Sequence, residues 1–186
     1  GVIRYGSNNV TCVIDSCQAG RFVSDVCKID KKIPIVETIE QALNLNPEVL
    51  LLGTAPSGGR LPEDWIKVIN KALEKGLSVV NGLHDSVSDI FSNQLAPNQW
   101  IWDIRKPLND KPKIGAARAS FLSNERILMI GTDMAVGKMT AGLELTNSLK
   151  AKDKDVVFLA TGQTGICISG TGIPLDAFKV DYASGA

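Results

Sequence analysis

The sequence predicts an α/β protein built on parallel sheets. One observation is that short apolar segments alternate with helix-forming segments over the first hundred residues, the pattern of strands joined by helical crossovers. A second is that the apolar segment 127–130 leads directly into a glycine-containing turn and then into a helix-forming segment. Strand, glycine turn and helix in that order are typical of a phosphate-binding loop.

Composition excludes several classes of function. The chain has 186 residues, of which 44% are hydrophobic and 22% charged, the balance of a soluble globular protein. Its 20 basic and 20 acidic side chains cancel, so no positive surface for nucleic acid is expected. No apolar run approaches the roughly 20 residues that span a bilayer. We therefore expect neither a nucleic-acid partner nor a membrane partner.

The cysteines indicate a reducing compartment. Their spacings match no zinc pattern, so no metal site is predicted. Buried thiols in the cytoplasm are the expectation for Cys12, Cys17, Cys27 and Cys167. No signal peptide is recognisable, although the sequence opens on Gly1 rather than Met.

The first domain is predicted to span residues 1–110. Its predicted strands are 10–15, 48–53, 77–80 and 99–104. The second of these, EVLLLG, is apolar on both faces and is therefore expected to be buried on both. Two helices are predicted between strands: 37–45 with Thr38 as its cap, and a second that begins near Pro62, carries an apolar stripe (Trp65, Ile69, Ala72, Leu73) and ends at Gly76.

Two loops of this domain are candidates for ligand binding, because ligands of open α/β sheets bind beyond the carboxyl ends of strands. Gly58, Gly59 and Arg60 follow one strand, and Arg60 has the bidentate geometry that suits a carboxylate. His84 follows the next strand and is a candidate general base. The alternatives are a solvated loop arginine and a structural histidine.

Residues 111–124 are predicted to be a linker, and residues 125–186 the start of a second domain. In its loop, Gly131 and Gly137 allow backbone amides to converge on a phosphate, and Lys138 adds a positive charge. The remaining predicted contacts are Thr132, Asp133, Met139 and Thr140. Five residues separate Gly131 from Gly137, where the usual P-loop has four.

The loop departs from a hydrolytic P-loop in a second respect. Met139 stands where the magnesium-binding hydroxyl is expected, and Thr140 comes one position late. No apolar run ending in an aspartate follows, as it does in P-loop NTPases. The loop is therefore predicted to bind phosphate, whereas hydrolysis of a magnesium nucleotide is not established.

The last segment carries a predicted strand, 155–160, and a loop rich in glycine. The flexible loop is expected over TGQTGICISGTGIP, where Gln163 and Thr164 either contact the bound group or simply form turns. Two strands cannot bury a doubly wound core, so we expect the chain to be a fragment truncated at both ends.

These motifs resemble a known family. GTDMAVGKMTAGLEL, TGQTGICISGTGIPLDAF and DYASGA look like the C-terminal P-loop domain of a bacterial and archaeal two-domain family long labelled as of unknown function. VIDSCQAG, APSGGRLPEDW and GLHD are similar to its Rossmann-like N-terminal domain. Some members are D-glutamate N-acetyltransferases, which implies acetyl-CoA as cofactor, with its phosphates held by Gly131 to Thr140.

The resemblance implies a small amino-acid substrate, and a homo-oligomer is expected. In this hypothesis His84 or Asp133 removes a proton from the amine. Two alternatives stay open. GTDMAVGK also resembles the loop of dethiobiotin synthetase, which implies an ATP-dependent ligase or kinase-like enzyme that uses ATP with Mg, although the lysine which that family has after its second strand is absent near Ala160. The third class is a regulatory module that binds a nucleotide without catalysis.

Overall fold

The computed structural model describes residues 1–54, 56, 60–106, 117–133 and 135–175. Contacts among them divide the chain into two units: Ser7–Lys106, and Gly1–Gly6 together with Pro107–Ala186. The helices and strands in chain order are α1 (Val2–Tyr5), β1 (Val13–Ile14), α2 (Val23–Val26), β2 (Ile35–Val36), α3 (Ile39–Leu43), β3 (Val49–Leu52), α4 (Glu63–Glu74), β4 (Ser78–Asn81), α5 (Val87–Phe91), β5 (Ile101–Asp103), α6 (Lys138–Lys150) and α7 (Gln163–Ser169).

Parallel strands organise the unit Ser7–Lys106. β3, β4 and β5 form one sheet in that order, with Leu52 opposite Asn81 and Asn81 opposite Asp103. β1 and β2 form a separate parallel pair. Because the strands are parallel, the carboxyl ends of β3, β4 and β5 lie along one edge of their sheet.

The central strand and the edge strand differ in burial. All four residues of β4 are buried, as a strand between two neighbours should be. β3 alternates instead, with Val49 39% and Leu51 36% exposed while Leu50 and Leu52 pack on the core. The prediction that this strand is buried on both faces is wrong, because α4 and the core cover one face only.

Both helices predicted in this unit form, and the structure adds α2 and α5, which the sequence did not predict. Thr38 caps α3 by accepting a hydrogen bond from the amide of Gln41 at 3.3 Å. α4 begins after Pro62 and buries Ile69, Ala72 and Leu73 of the predicted stripe, whereas Trp65 is only partly buried. Gly76 follows the helix and adopts φ +89°. Glycine takes up this left-handed conformation more readily than other residues, so it ends the helix here.

The predicted strands of the other unit do not form ladders in the part of the chain that the structure describes. Residues 127–130 and 155–159 have no strand partner there, and the one pairing recorded is an isolated parallel bridge between Ala160 and Gly172. Ile127, Leu128 and Ile130 are 64%, 82% and 82% exposed, and Met129 is partly buried. The apolar run was visible in the sequence, but the hydrogen-bonded neighbour that makes a strand was not.

The glycine-rich segment is a helix, so the prediction of a flexible loop there is wrong. α7 starts after Gly162 and ends at Gly170, which adopts φ +70°. Gly165 lies inside α7, where an added Cβ would stand 2.8 Å from Ala160 Cβ. Gly162 and Gly170 therefore stand at the two ends of the helix, and Gly165 allows it to pack closely against Ala160.

The N-terminal segment packs within this unit. α1 contacts α7, and the Tyr5 hydroxyl donates a 2.7 Å hydrogen bond to Glu144 Oε1 on α6. That hydrogen bond raises the pKa of Tyr5. Among the residues that the structure describes, every helix is too short or too polar to cross a membrane.

Candidate functional site

The predicted phosphate loop ends at the first residue of α6. Gly137 is the N-cap of this helix and adopts φ +97°, and Ala135 is also left-handed at φ +55°. Glycine offers no side chain to cap the helix, and the amides of Lys138, Met139 and Thr140 belong to the first turn, which has no intrahelical acceptor for them. The positive end of α6 is therefore open to an acceptor of negative charge.

Lys138 folds back over the loop. Its ammonium donates a hydrogen bond to the backbone carbonyl of Asp133. Its stem lies so close to Gly131 that a Cβ added there would stand 3.0 Å from both Cγ and Cδ, and 2.8 Å from Val136 Cγ2. A side chain at position 131 would therefore force Val136 and the Lys138 stem to shift.

The Met139 side chain lies near α7 and the N-terminal segment. A Cβ added to Gly165 would lie 3.8 Å from its Sδ, and one added to Gly1 3.5 Å from its Cε. Its thioether therefore packs towards α7 and the N-terminal segment, while its backbone amide stays in the first turn of α6. Thr132, Asp133 and Thr140 are exposed.

Gln163 and Thr164 lie in the first turn of α7 and are partly buried. Thr164 faces the N-terminus, since a Cβ on Gly1 would stand 2.7 Å from Thr164 Cγ2. Packing against Gly1 is therefore the role that the structure shows for Thr164.

A second candidate site lies at the carboxyl edge of the three-stranded sheet. Asp103, at the end of β5, lies beneath this site and supports it. The Asp103 carboxylate accepts four hydrogen bonds of 2.7 to 3.0 Å. The donors are Asn81 Nδ2, Ser86 Oγ and the amides of Val87 and Ser88. Burial raises the pKa of Asp103, but the bonds from Ser88, Asn81 and Ser86 outweigh it, so the pKa lies below its ordinary value.

Asn81, at the end of β4, is fully buried and joins Asp103 to the next loop. Its amide group donates to Asp103 Oδ1 and to the carbonyl of Asp85 at 2.8 Å, and its oxygen accepts from the amide of Leu83 at 2.9 Å. The loop that carries His84 and Asp85 is therefore fixed from beneath by two strand ends.

The exposed rim of this site carries an ion pair. Asp85 Oδ2 accepts from the amide of Leu61 at 2.8 Å, and Asp85 Oδ1 accepts from Arg60 Nη1 at 3.0 Å. The amide of Leu61 and then Arg60 lower the pKa of Asp85. The predicted loop residue Arg60 is thus paired with a carboxylate of the neighbouring loop, while Gly58 and Gly59 lie outside the described residues.

His84 is exposed and contacts Arg105, whose Nη1 lies 3.4 Å from His84 Nε2. Because arginine only donates, Nε2 would be the acceptor in a hydrogen bond across this contact. Arg105 Nε also donates to the carbonyl of Gly82 at 2.6 Å. One ring nitrogen of His84, Nε2, therefore faces a guanidinium.

Sequence reasoning missed the polar residues that support this edge. Asn81, Asp103 and Arg105 were not candidates, although all three stand at or just beyond the ends of β4 and β5. Position at a strand end was the signal that could have found them. The same reasoning did bring Arg60 and His84 to this edge.

The cysteines are less buried than predicted. Cys17 and Cys27 are exposed, Cys12 and Cys167 are partly buried, and all four are free thiols. The prediction of buried thiols is wrong for the exposed pair, which lie at the surface on either side of α2. Within the described ranges no cluster of His, Cys, Asp or Glu is suited to hold a metal ion.

Comparison with known families covers nearly the whole chain. A Rossmann-like domain of unknown function, DUF1611_N, matches residues 16–107, and the P-loop domain DUF1611_C matches residues 113–186. The chain belongs to the DUF1611 family. This confirms the predicted fold class, a Rossmann-like domain followed by a P-loop domain, and the family resemblance seen in the motifs.

Relatives of known structure and name support the assignment to DUF1611. The crystal structure of a DUF1611 family protein from Anabaena variabilis is 40% identical, with a TM-score of 0.92 over 99% of this chain and 54% of that one. Proteins named D-glutamate N-acetyltransferase from a Pseudoalteromonas species and Tritonibacter scottomollicae are 37% and 34% identical over 152 residues, 80% of this chain. The chain spans 45% of the length of each.

Proposed function

We propose that this protein is an N-acetyltransferase that uses acetyl-CoA to acetylate the amine of a D-amino acid such as D-glutamate. The observation that carries the proposal is the 34–37% identity with the two D-glutamate N-acetyltransferases. Acetyl-CoA would supply an activated acyl group as a thioester. The protein's own residues would bind the two reactants, orient them and accept the proton of the amine.

The loop 131–140 fits the phosphates of coenzyme A. First-turn amides of α6 and the ammonium of Lys138 are donors suited to phosphate oxygens. The Met139 side chain packs towards Gly165, so the loop offers no hydroxyl at the position where a P-loop binds magnesium. Phosphate binding without a metal-dependent hydrolysis agrees with both features.

The amino acid is assigned to the loops at the carboxyl edge of β3, β4 and β5. Arg60 would pair with a carboxylate of the substrate, since its side chain is 80% exposed and only one of its nitrogens bonds to Asp85. Gly58 and Gly59 are proposed to belong to the same substrate loop.

Removal of the amine proton needs a general base, for which His84 and Asp133 are the candidates. His84 can act only after its Nε2 leaves Arg105, or through Nδ1 in the other tautomer. Asp133 is an exposed carboxylate whose backbone carbonyl already accepts from Lys138. Gln163 and Thr164 remain predicted contacts of the bound group, and the cytoplasm and a homo-oligomer remain the predicted location and assembly.

An ATP-dependent ligase or kinase-like enzyme, using ATP with Mg, is the alternative, because Lys138 and the open start of α6 would suit ATP equally well. Assays of the full-length protein separate the classes. Acetyl-CoA with D-glutamate should release free CoA in an amino-acid-dependent manner, whereas ATP with magnesium should show no turnover. Turnover of ATP alone would overturn the transferase, and binding without turnover of either would favour a regulatory nucleotide-binding module.

The loop itself is tested by Lys138→Ala. We expect weaker binding of acetyl-CoA in calorimetry, because the ammonium is a charged donor to phosphate. Lys150→Ala is the matched control, since Lys150 lies in the last turn of the same helix and should leave the dissociation constant unchanged. An unchanged constant for Lys138→Ala would refute phosphate binding at this loop.

A further inference from the structure

We propose that Arg60 and Asp85 act together as the recognition site for the zwitterionic head group of an α-amino acid. In this arrangement Asp85 contacts the ammonium group, and Arg60 contacts the carboxylate. The inference rests on the proposed function for the identity of the substrate class, and it adds Asp85 as a residue that distinguishes an amino acid from a simple carboxylic acid.

The two residues come from adjacent loops of one sheet edge. Arg60 follows β3, Asp85 follows β4, and these strands are hydrogen-bonded neighbours. Their charged groups meet at 3.0 Å, with side-chain exposures of 80% for Arg60 and 29% for Asp85. An α-amino acid carries its opposite charges at the same close spacing, so it can lie across the pair with each charge facing its opposite.

Both side chains keep hydrogen-bonding capacity for such a ligand. Each oxygen of Asp85 accepts one bond in the structure, from Leu61 or from Arg60, and a carboxylate oxygen has two lone-pair sites. Arg60 uses one of the five N–H donors of a guanidinium on Asp85. The ammonium and the carboxylate can therefore be bound without first breaking the pair.

Contacts other than the ion pair itself fix the position of Asp85. An exposed pair of this kind adds little to stability. Yet the Asp85 carboxylate is fixed by the amide of Leu61, and its backbone carbonyl is fixed by the buried Asn81, which is itself bonded to Asp103. A charge presented at the surface on a fixed support is the arrangement that preorganised binding needs.

Asp85 suits an anchor better than a base. Its position beside Leu61 and Arg60 keeps the carboxylate ionised at neutral pH, as its lowered pKa indicates. An ionised, weakly basic carboxylate attracts an ammonium ion and leaves the removal of the proton to another group.

The test compares two ligands that differ only in the amino group, D-glutamate and glutarate, by calorimetry on the full-length protein. With Asp85→Asn we expect D-glutamate to bind about tenfold more weakly, the typical effect of losing a charge-assisted bond. Glutarate should bind as well as before or better, because a negative charge next to it has been removed. With Arg60→Gln both ligands should bind more weakly.

Asp89→Asn is the matched control, since Asp89 forms an exposed ion pair with Lys106 in the same unit. It should change neither dissociation constant. The tryptophan emission of each variant, compared with the unsubstituted protein, shows whether the unit is folded, and the double variant Arg60→Gln/Asp85→Asn removes the pair without leaving one charge alone.

The outcomes separate this inference from acetyl transfer. Equal weakening of D-glutamate and glutarate by Asp85→Asn would overturn the recognition site, as would a protein that binds neither ligand. Binding of D-glutamate that depends on Asp85, without any release of CoA, would overturn acetyl transfer and support the recognition site.

Discussion

The hydrogen bonds of Asp103 allow a stability prediction with a definite size. In Asp103→Asn the single amide oxygen can serve only one of the two pairs of donors, and the new NH₂ group faces the other pair. That pair contains a backbone amide, of either Val87 or Ser88. An amide without an acceptor costs about 1–3 kcal/mol, and with the lost charge-assisted bonds the total is roughly 3 kcal/mol.

The three tryptophans make the measurement specific. Trp65, Trp100 and Trp102 all lie in the unit Ser7–Lys106, so their fluorescence in a urea titration reports on this unit alone. With a slope of about 1.5 kcal/mol per molar urea, the loss lowers the midpoint by roughly 2 M. The control Asp89→Asn removes only an exposed ion pair with Lys106, so it should lower the midpoint far less. A midpoint for Asp103→Asn that equals that of the unsubstituted protein at pH 7 would refute the assigned role of Asp103.

The same variant has a predictable dependence on pH. The pKa of Asp103 in the folded protein lies below its ordinary value of 3.8. Its contribution to stability is therefore present above pH 3.8 and is lost as the pH falls through the folded pKa. The difference in urea midpoint between Asp103→Asn and the unsubstituted protein should be largest at pH 7 and should decrease as the pH falls. A difference that increases in acid would contradict the predicted direction.

Two further substitutions test the packing around α7. Gly165→Ala should destabilise the protein by about 1–3 kcal/mol in a thermal melt followed by circular dichroism, because the new methyl meets Ala160 Cβ at 2.8 Å. Gly162→Ala has open space, so it should lose only the N-cap preference for glycine and lower the melting temperature less. Equal melts would contradict the packing. Met139→Ser should lower the melting temperature through lost contacts, without making acetyl-CoA binding depend on magnesium. Tighter binding with magnesium would show that position 139 faces the phosphates.

The sequence predicted the elements whose signals are local. The cap at Thr38, the stripe from Ile69 to Leu73 and the start of α6 at Lys138 depend on neighbouring residues, and all three are present. Strand pairing depends on partners distant in sequence, which is why 127–130 carries a strand pattern without a ladder in the described residues. α7 was missed because glycine is a signal for loops, while here Gly162 and Gly170 are its caps.

The residues of the candidate site at the sheet edge also differ in whether their signals are local in the sequence. Arg60 and His84 were found because a strand end followed by a loop is visible in the sequence. The support beneath them was not, because it joins Asn81 to Asp103 across 22 residues. The pairing of β4 with β5 places Asn81 opposite Asp103. The sequence alone does not show which residues of the two strands pair.

The substitution Gly131→Ala tests how much the position of the Lys138 ammonium contributes to acetyl-CoA binding beside the amides of α6. In the structure the ammonium bonds to the carbonyl of Asp133, and a bound phosphate would replace this dipole by a full charge, which makes a stronger bond. In Gly131→Ala the new methyl would stand 2.8 Å from Val136 Cγ2 and 3.0 Å from the Lys138 stem, so both side chains must shift, although the lysine charge and the backbone amides remain. Affinity for acetyl-CoA should then fall to a value between those of the unsubstituted protein and Lys138→Ala. Affinity unchanged by Gly131→Ala would mean that the ammonium binds its ligand from a position other than the one over Gly131.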